Sequence, residues 1–369
     1  MKDKILIAAG AALLLILAAF YLRPVPGPTP TAAEVSSSPA ARAERRLPRR
    51  PAPPLISTVA PSDPSPDDSR STNLIARLMK EGEAPKLTPE QIESYLAINR
   101  RSVESLLAAF RVSGDKTFLK EAREKFPNDP RVAFASLFKT DSVEERREWL
   151  EHFKQAAPEN SLAGYLSALD YFKAGQSDRA VEELGTAAGK TRFQDYSLDF
   201  MQSAEEAYRS AGYSEAEAKA IAATQLLLPH LAEFRDLGRK MVDLSNSYRQ
   251  AGDQESAQAA LQMATDLGKR LEQPSGWNTL IGELVGIAVE KDALTAMDPA
   301  AAYGTSGQTV QGRLDELARQ RQARREIVRD NWSLVESMSE AELSMYFDRE
   351  KLFGEIEALK WARSRAQGQ

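Results

Sequence analysis

The chain has 369 residues, 42% apolar and 27% charged, which suits a folded protein with room for a sizeable core. Its 48 Lys and Arg stand against 53 Asp and Glu, and since the chain through Thr72 holds nine of the former and six of the latter, the rest carries about −8. An acidic body lacks the basic footprint that nucleic-acid binding needs, and the absence of Cys excludes disulfides, iron–sulfur clusters, thiolate zinc sites and an acylated lipoprotein cysteine.

Ile5 to Leu22 runs for 18 residues without a charge. At ~1.5 Å per residue this matches a bilayer core of ~30 Å. The run is longer than the ~7–15 apolar residues of a signal-peptide core, and Ala18-Ala19-Phe20 puts a bulky ring at the cleavage position. Residues 1–22 therefore read as a transmembrane signal anchor. The alternative is a cleaved signal peptide that leaves a secreted soluble binding protein. Lys2 and Lys4 before the span, against Arg23 after it, favour a cytoplasmic N-terminus. That places the body outside the cytoplasm, in the periplasm of a Gram-negative cell. Arg42, Arg45, Arg46, Arg49 and Arg50 argue the other way if they are counted.

Of the 20 prolines, 12 lie between Pro24 and Pro66. Proline fixes φ and removes a backbone donor, so residues 23–72 are expected to be a disordered, Pro-rich stalk. Its reach runs from roughly 40 Å as a coil to about 150 Å extended. The basic knot Arg42–Arg50 within it reads as solubilising linker charge, with contact to anionic lipid headgroups or an anionic wall polymer as the alternative.

From Thr88 onward helix formers alternate with turn signals. Thr88 and Pro89 start a helix whose apolar positions Ile92, Leu96, Val103, Leu106, Leu107 and Phe110 run to a stop at Gly114. Ser142 and Glu145 form a capping-box pattern. Then Tyr171-Phe-Lys-Ala-Gly175, Tyr208-Arg-Ser-Ala-Gly212 and Tyr248-Arg-Gln-Ala-Gly252 repeat one pattern, 37 and 40 residues apart. In each, Gly is placed to end a helix in the left-handed region, with Ser177 or Asp178 ready to cap the next helix in the first copy. Small and large apolar residues follow at fixed offsets: Ala180 and Leu184, and Ala257 and Leu261. The middle copy has Glu217 where Ala is expected, with Ala216 and Ala218 beside it, which predicts a one-residue shift in its turn.

This stretch, about Ser161 to Thr265, resembles the tetratricopeptide repeat, with a late Tyr in the first helix of each pair, a following Gly and an Ala in the second. It departs in its spacing and in lacking the family's Trp and most of its Leu-Gly pair. The resemblance implies a right-handed helical-hairpin solenoid over residues 73–272 that binds a protein or peptide on its concave face. By carry-over, Phe172, Lys173, Arg209, Ser210, Arg249 and Gln250 would line that face. Lys173, Arg209 and Arg249 would form a cationic row suited to carboxylates. The plainer reading is that these are solvated charges at helix C-termini, where the dipole favours them.

Residues 273–369 read as a capping region. An apolar helix over Trp277–Met297 precedes a loop at Asp298–Gln308. A helix of 30 residues over Thr309–Met338 and a final one opened by the Ser339–Glu342 capping box suggest a long antiparallel hairpin. The arginines of the first arm, among them Arg313 and Arg324, are interleaved with acids and read as an internally paired, solvated face.

No nucleophile elbow, phosphate loop, dinucleotide glycines or His-Glu-x-x-His motif is present, and His152 and His230 have no partner ligands in sequence. They read as surface or capping residues. The chain is thus expected to be all-α and not an enzyme, with no cofactor and no metal. Its expected role is a membrane-anchored adaptor or scaffold in the cell envelope. The alternative is an oligomeric spacer that self-associates through the C-terminal hairpin.

Overall fold

The computed structural model describes Leu78 and residues 84–368, apart from positions 275, 305 and 306. The span Ile5–Leu22 and the Pro-rich residues 23–72 lie outside the described residues. Among those described, no helix is long and apolar enough to cross a membrane. The described part is all-α, with one small antiparallel ribbon.

The first helix, α1 (Pro89–Ile98), opens as expected: the Thr88 hydroxyl accepts from the Gln91 amide, and the Gln91 side chain accepts from the Thr88 amide. It does not continue to Gly114. Arg100 and Arg101 enter the left-handed region at φ 52° and 49°, and Ser102 caps a second helix, α2 (Val103–Ser113). Left-handed backbone is costly for a residue with a Cβ. Here the Arg101 guanidinium is held by Glu93 at 2.8 Å and by Glu121, interactions that offset the strain. Helices α3 (Lys116–Lys125), α4 (Pro130–Leu137) and α5 (Val143–Ala156) follow. Ser142 caps α5 through the Glu145 amide, but the Glu145 carboxylate accepts from the Asp141 amide, so the reciprocal half of the expected box is not made.

Three hairpins carry the repeated pattern: α6 (Leu162–Lys173) with α7 (Ser177–Ala188), α8 (Ser197–Ser210) with α9 (Glu215–Thr224), and α10 (Pro229–Gln250) with α11 (Gln254–Glu272). Each turn is the same Schellman motif. Gln176, Tyr213 and Asp253 amides donate to the carbonyls of Tyr171, Tyr208 and Tyr248, while Gly175, Gly212 and Gly252 amides donate one residue further on, to Phe172, Arg209 and Arg249. The three glycines have φ of 72°, 92° and 83°, which explains the residue type. Neither Ser177 nor Asp178 caps α7; Gln176 occupies the cap position without a side-chain bond. In the middle copy Ser214 and Glu217 form a capping box and α9 starts one residue later than its counterparts. Ala218 thereby takes the place of Ala180 and Ala257, and all three are buried.

Equivalent turns lead to different neighbours. Helix α6 packs on α10, and α7 touches α11. Helix α8 packs against α2 and α1, and α9 against a C-terminal helix, α14 (Glu340–Phe353). The tyrosines report the difference. Tyr208 is fully buried, donates to the Pro85 carbonyl at 2.9 Å and accepts from Gln225 at 2.8 Å. Tyr171 and Tyr248 are half-buried, with Arg147 and Arg179 over the Tyr171 ring.

Helix α12 (Leu280–Thr295) is followed by the ribbon of β1 (Ala302–Tyr303) and β2 (Gln308–Thr309), then by α13 (Val310–Glu336). The expected single final helix is broken at Gly354, where φ is 84° and ψ 163°, into α14 and α15 (Glu355–Gln367). The break seats this turn on the start of α12: a Cβ on Gly354 would lie 3.2 Å from the Asn278 carbonyl, and Trp277 Nε1 donates to the Glu350 carbonyl at 2.8 Å. Helix α15 returns along α13, while α14 reaches α9. The arginines of α13 also differ from expectation. Arg313 pairs with Glu290 and Arg324 with Glu283, both on α12, so part of that face is an interhelical seam and not a solvated one.

One contiguous core runs from the N-terminal helices to α15. At its centre the Phe134 ring meets Phe153, Tyr196, Phe200 and His230 at centroid distances of 5.9, 6.3, 6.2 and 5.5 Å. This junction ties α4, α5, α8 and α10 together, and edge-on and stacked aromatic pairs of this kind add to simple burial.

Candidate protein-binding site

The six residues singled out from the sequence all sit at the C-terminal ends of α6, α8 and α10, because each follows its Tyr by one or two positions. Their surroundings differ. Phe172 is half-buried and packs against the core. Lys173 is exposed at the end of α6. Arg249 is half-buried, and its guanidinium donates to the Ala296 carbonyl at the C-terminus of α12. It serves there as a cap for the last carbonyls of that helix. Gln250 beside it is exposed. Lys173 and Arg249 belong to helices that pack together, whereas Arg209 and Ser210 belong to α8, whose main partners are α1, α2 and α9.

Arg209 and Ser210 line a cleft of about 510 Å³ together with Gln202, Glu205, Glu206 and Lys351. The floor is built by charge pairing. Lys351 of α14 donates to Glu205 at 2.8 Å and lies 3.2 Å from Asp348. Behind it, the buried Lys219 ammonium on α9 contacts Glu215 at 2.6 Å, Asp348 at 2.7 Å and the Ser344 hydroxyl at 2.9 Å. The hydrogen bond from Lys219 is the chief cause holding the Glu215 carboxyl below its usual range, with smaller help from Arg209. These contacts fix α14 to the α8–α9 hairpin and commit both lysines. The Ser210 hydroxyl is committed as well, donating to the Ala207 carbonyl at 2.8 Å.

Arg209 is exposed, and among the described residues no acceptor lies within hydrogen-bond reach of its guanidinium. Beside it along the same face of α8 stand the exposed Glu206 and Gln202. The arrangement offers a planar five-donor fork for a carboxylate, with a neutral amide and an acid nearby for a second polar group. Sequence reasoning missed Gln202, Glu205, Glu206 and Lys351. The first three were within reach as residues one and two turns before Arg209 on the same helix face. Lys351 was not, since it arrives from 146 residues away.

Of the two histidines, His152 lies against the Trp149 ring at 5.2 Å. His230 is neither a surface residue nor a helix cap through its side chain. It is buried in the aromatic junction, with Nε2 2.9 Å from Asp195. Burial pushes the Asp195 carboxyl up, but hydrogen bonds from His230 and from the Ser197 amide outweigh it and hold the group low. Arg111 completes this buried polar patch, its guanidinium stacked 3.8 Å from the Phe200 ring centre, and burial pushes it down to about 10. Among the described residues no group of three or more His, Asp or Glu is placed to hold a metal ion.

No protein-family model, curated protein or solved structure matches the chain. Function therefore has to be argued from the cleft and from the build of the molecule.

Proposed function

We propose that this protein is a helical-repeat adaptor of the cell envelope, anchored through Ile5–Leu22 and held off the membrane by the Pro-rich residues 23–72. In this reading its tetratricopeptide-like hairpins present a binding surface to another protein or peptide. The observation that carries it is Arg209: an uncommitted guanidinium in a cleft whose other lining cation, Lys351, is tied up in the scaffold. A rigid, pre-built frame around one free fork is the economy expected of a recognition site, because little has to be ordered when the ligand arrives. The partner chemistry that fits is a carboxylate, either an acidic side chain or a chain terminus. Lys173 remains available for a peptide lying on the α6–α10 side, while Arg249 is assigned to structure.

The test starts with proteins that co-purify with the full-length, membrane-extracted chain, followed by titration of the partner against Arg209→Ala and Lys173→Ala. A loss of tenfold or more for Arg209→Ala, equivalent to ~1.4 kcal/mol, is expected. Binding should also weaken with added salt. Affinity that stays within about threefold of the parent would reject the cleft as the site. A monomeric molar mass for the full-length protein would weigh against the alternative of an oligomeric spacer.

A further inference from the structure

Large apolar side chains that stand together on a surface beside a polar site mark a place for a ligand. Helix α14 carries such a pair at the edge of the Arg209 cleft. Leu352 is 73% exposed and Met345 42% exposed. They lie four residues after and three before Asp348, so the three share one stripe of the helix. Asp348 belongs to the frame of the cleft: it is 2.7 Å from the Lys219 ammonium and 3.2 Å from that of Lys351, which lines the cleft itself. These ion pairs hold the apolar pair at the α14 rim, while Leu343, Tyr346 and Glu350 fill the buried face of the same helix.

The neighbouring Phe353 belongs to another surface. The Arg349 guanidinium lies 5.3 Å from its ring and 5.4 Å from that of Trp361 on α15, on the flank of α14 turned away from Lys351. On the α8 wall, Gln202, Glu206 and Arg209 present one exposed side chain per turn. None of the three has a hydrogen-bond or ion-pair partner among the described residues. At ~1.5 Å per residue this row is roughly 10 Å long, the length of about three residues of extended chain at ~3.3 Å each.

Arg209 alone would accept any carboxylate. Glu206, one turn away, narrows the choice, because a second acidic group lying along the row meets like charge, whereas a backbone N–H is a donor that Glu206 can accept from. Gln202 can donate or accept. A chain end has this order of groups: a carboxylate, then backbone amides. We propose that the cleft captures the C-terminus of a peptide whose last residues are large and apolar. The terminal carboxylate sits in the Arg209 fork, the backbone runs along Glu206 and Gln202, and the apolar side chains cover Leu352 and Met345. This rests on the reading of Arg209 as a carboxylate site and narrows it to one class of partner.

The test is fluorescence anisotropy of the full-length chain in nanodiscs of zwitterionic lipid. The probes are a labelled Gly-Ser-Gly-Ala-Leu-Leu peptide with a free C-terminus, its C-terminal amide, and a free-acid analogue ending in Ser-Ser. The Leu-Leu acid should bind saturably and at least tenfold more tightly than either analogue. Arg209→Ala should lose tenfold or more, and so should the double variant Met345→Ser with Leu352→Ser, whose exposed positions leave the melting temperature unchanged. If the Ser-Ser acid binds as tightly as the Leu-Leu acid, or the double variant binds like the parent while Arg209→Ala fails, the apolar rim is overturned and the Arg209 reading stands. If the Leu-Leu acid binds and Arg209→Ala makes no difference, both are overturned. Equal binding of the amide, or no saturable binding of the Leu-Leu acid, would overturn the capture of a chain end. A dimer of the parent that the double variant splits would overturn it too, by making a second copy the occupant of the rim.

Discussion

Replacing Gly286 by Ala should destabilise the protein even though Ala is the better helix former by about 1 kcal/mol. The new Cβ would stand 2.5 Å from the Gly268 carbonyl oxygen and 2.9 Å from the Glu272 amide nitrogen. Both are backbone atoms of the facing helix, so no rotamer change relieves the contact and the helices must move apart. Overpacking of this kind costs ~1–3 kcal/mol, and rigid backbone on the other side argues for the upper end. Subtracting the propensity gain leaves a net loss of roughly 2 kcal/mol. Gly185→Ala is the control. That glycine is exposed in α7, and no atom lies within 4 Å of its Cβ position, so the same substitution should gain up to ~1 kcal/mol there. Urea unfolding of both variants, followed by far-ultraviolet circular dichroism, measures the two signs side by side. If both variants shift in the same direction, or Gly286→Ala stays within about 0.5 kcal/mol of the parent, the close crossing is not there.

Three more outcomes are expected. Gly252→Val should cost on the order of 1–2 kcal/mol from backbone strain alone, since φ is 83° and nothing crowds the Cβ position; an unchanged melting temperature would contradict this. Arg249→Ala should lower stability by about 1 kcal/mol through the lost bond to the Ala296 carbonyl while leaving partner affinity unchanged, as a paired melting and binding measurement would show. Arg313→Met should cost ~3–5 kcal/mol by stranding the buried Glu290 charge, and adding Glu290→Gln should recover part of that loss in denaturant titration.

Much of the local structure was legible in the sequence because it is decided within a few residues. Thr88 with Gln91, Ser339 with Glu342 and the three Tyr-to-Gly turns are short-range solutions to the unsatisfied groups at helix ends. The one-residue shift at Glu217 was readable for the same reason. Where local signals were weak the reading failed: nothing near Arg100 or Gly354 marks a break as opposed to a tolerated interruption, and it is distant contact with Glu121 and with Asn278 that fixes the chain there.

The repeat shows the division most clearly. A Schellman turn depends on its own six residues, so three copies of the pattern made three alike turns. What each hairpin packs against depends on apolar faces far along the chain, and burial has no sequence range. Thus Tyr208 is enclosed with Pro85 and Gln225, while Tyr171 and Tyr248 stay half-buried. The candidate site divides in the same way. The sequence by itself determined that Lys173, Arg209 and Arg249 stand at helix C-termini. Only the tertiary structure decided that Arg249 is bound to the end of α12, that Lys351 closes a cleft beside Arg209, and that the backbones of α11 and α12 touch through Gly268 and Gly286. A charge takes its role from the partners that folding brings within a few ångströms, and those partners come from other helices.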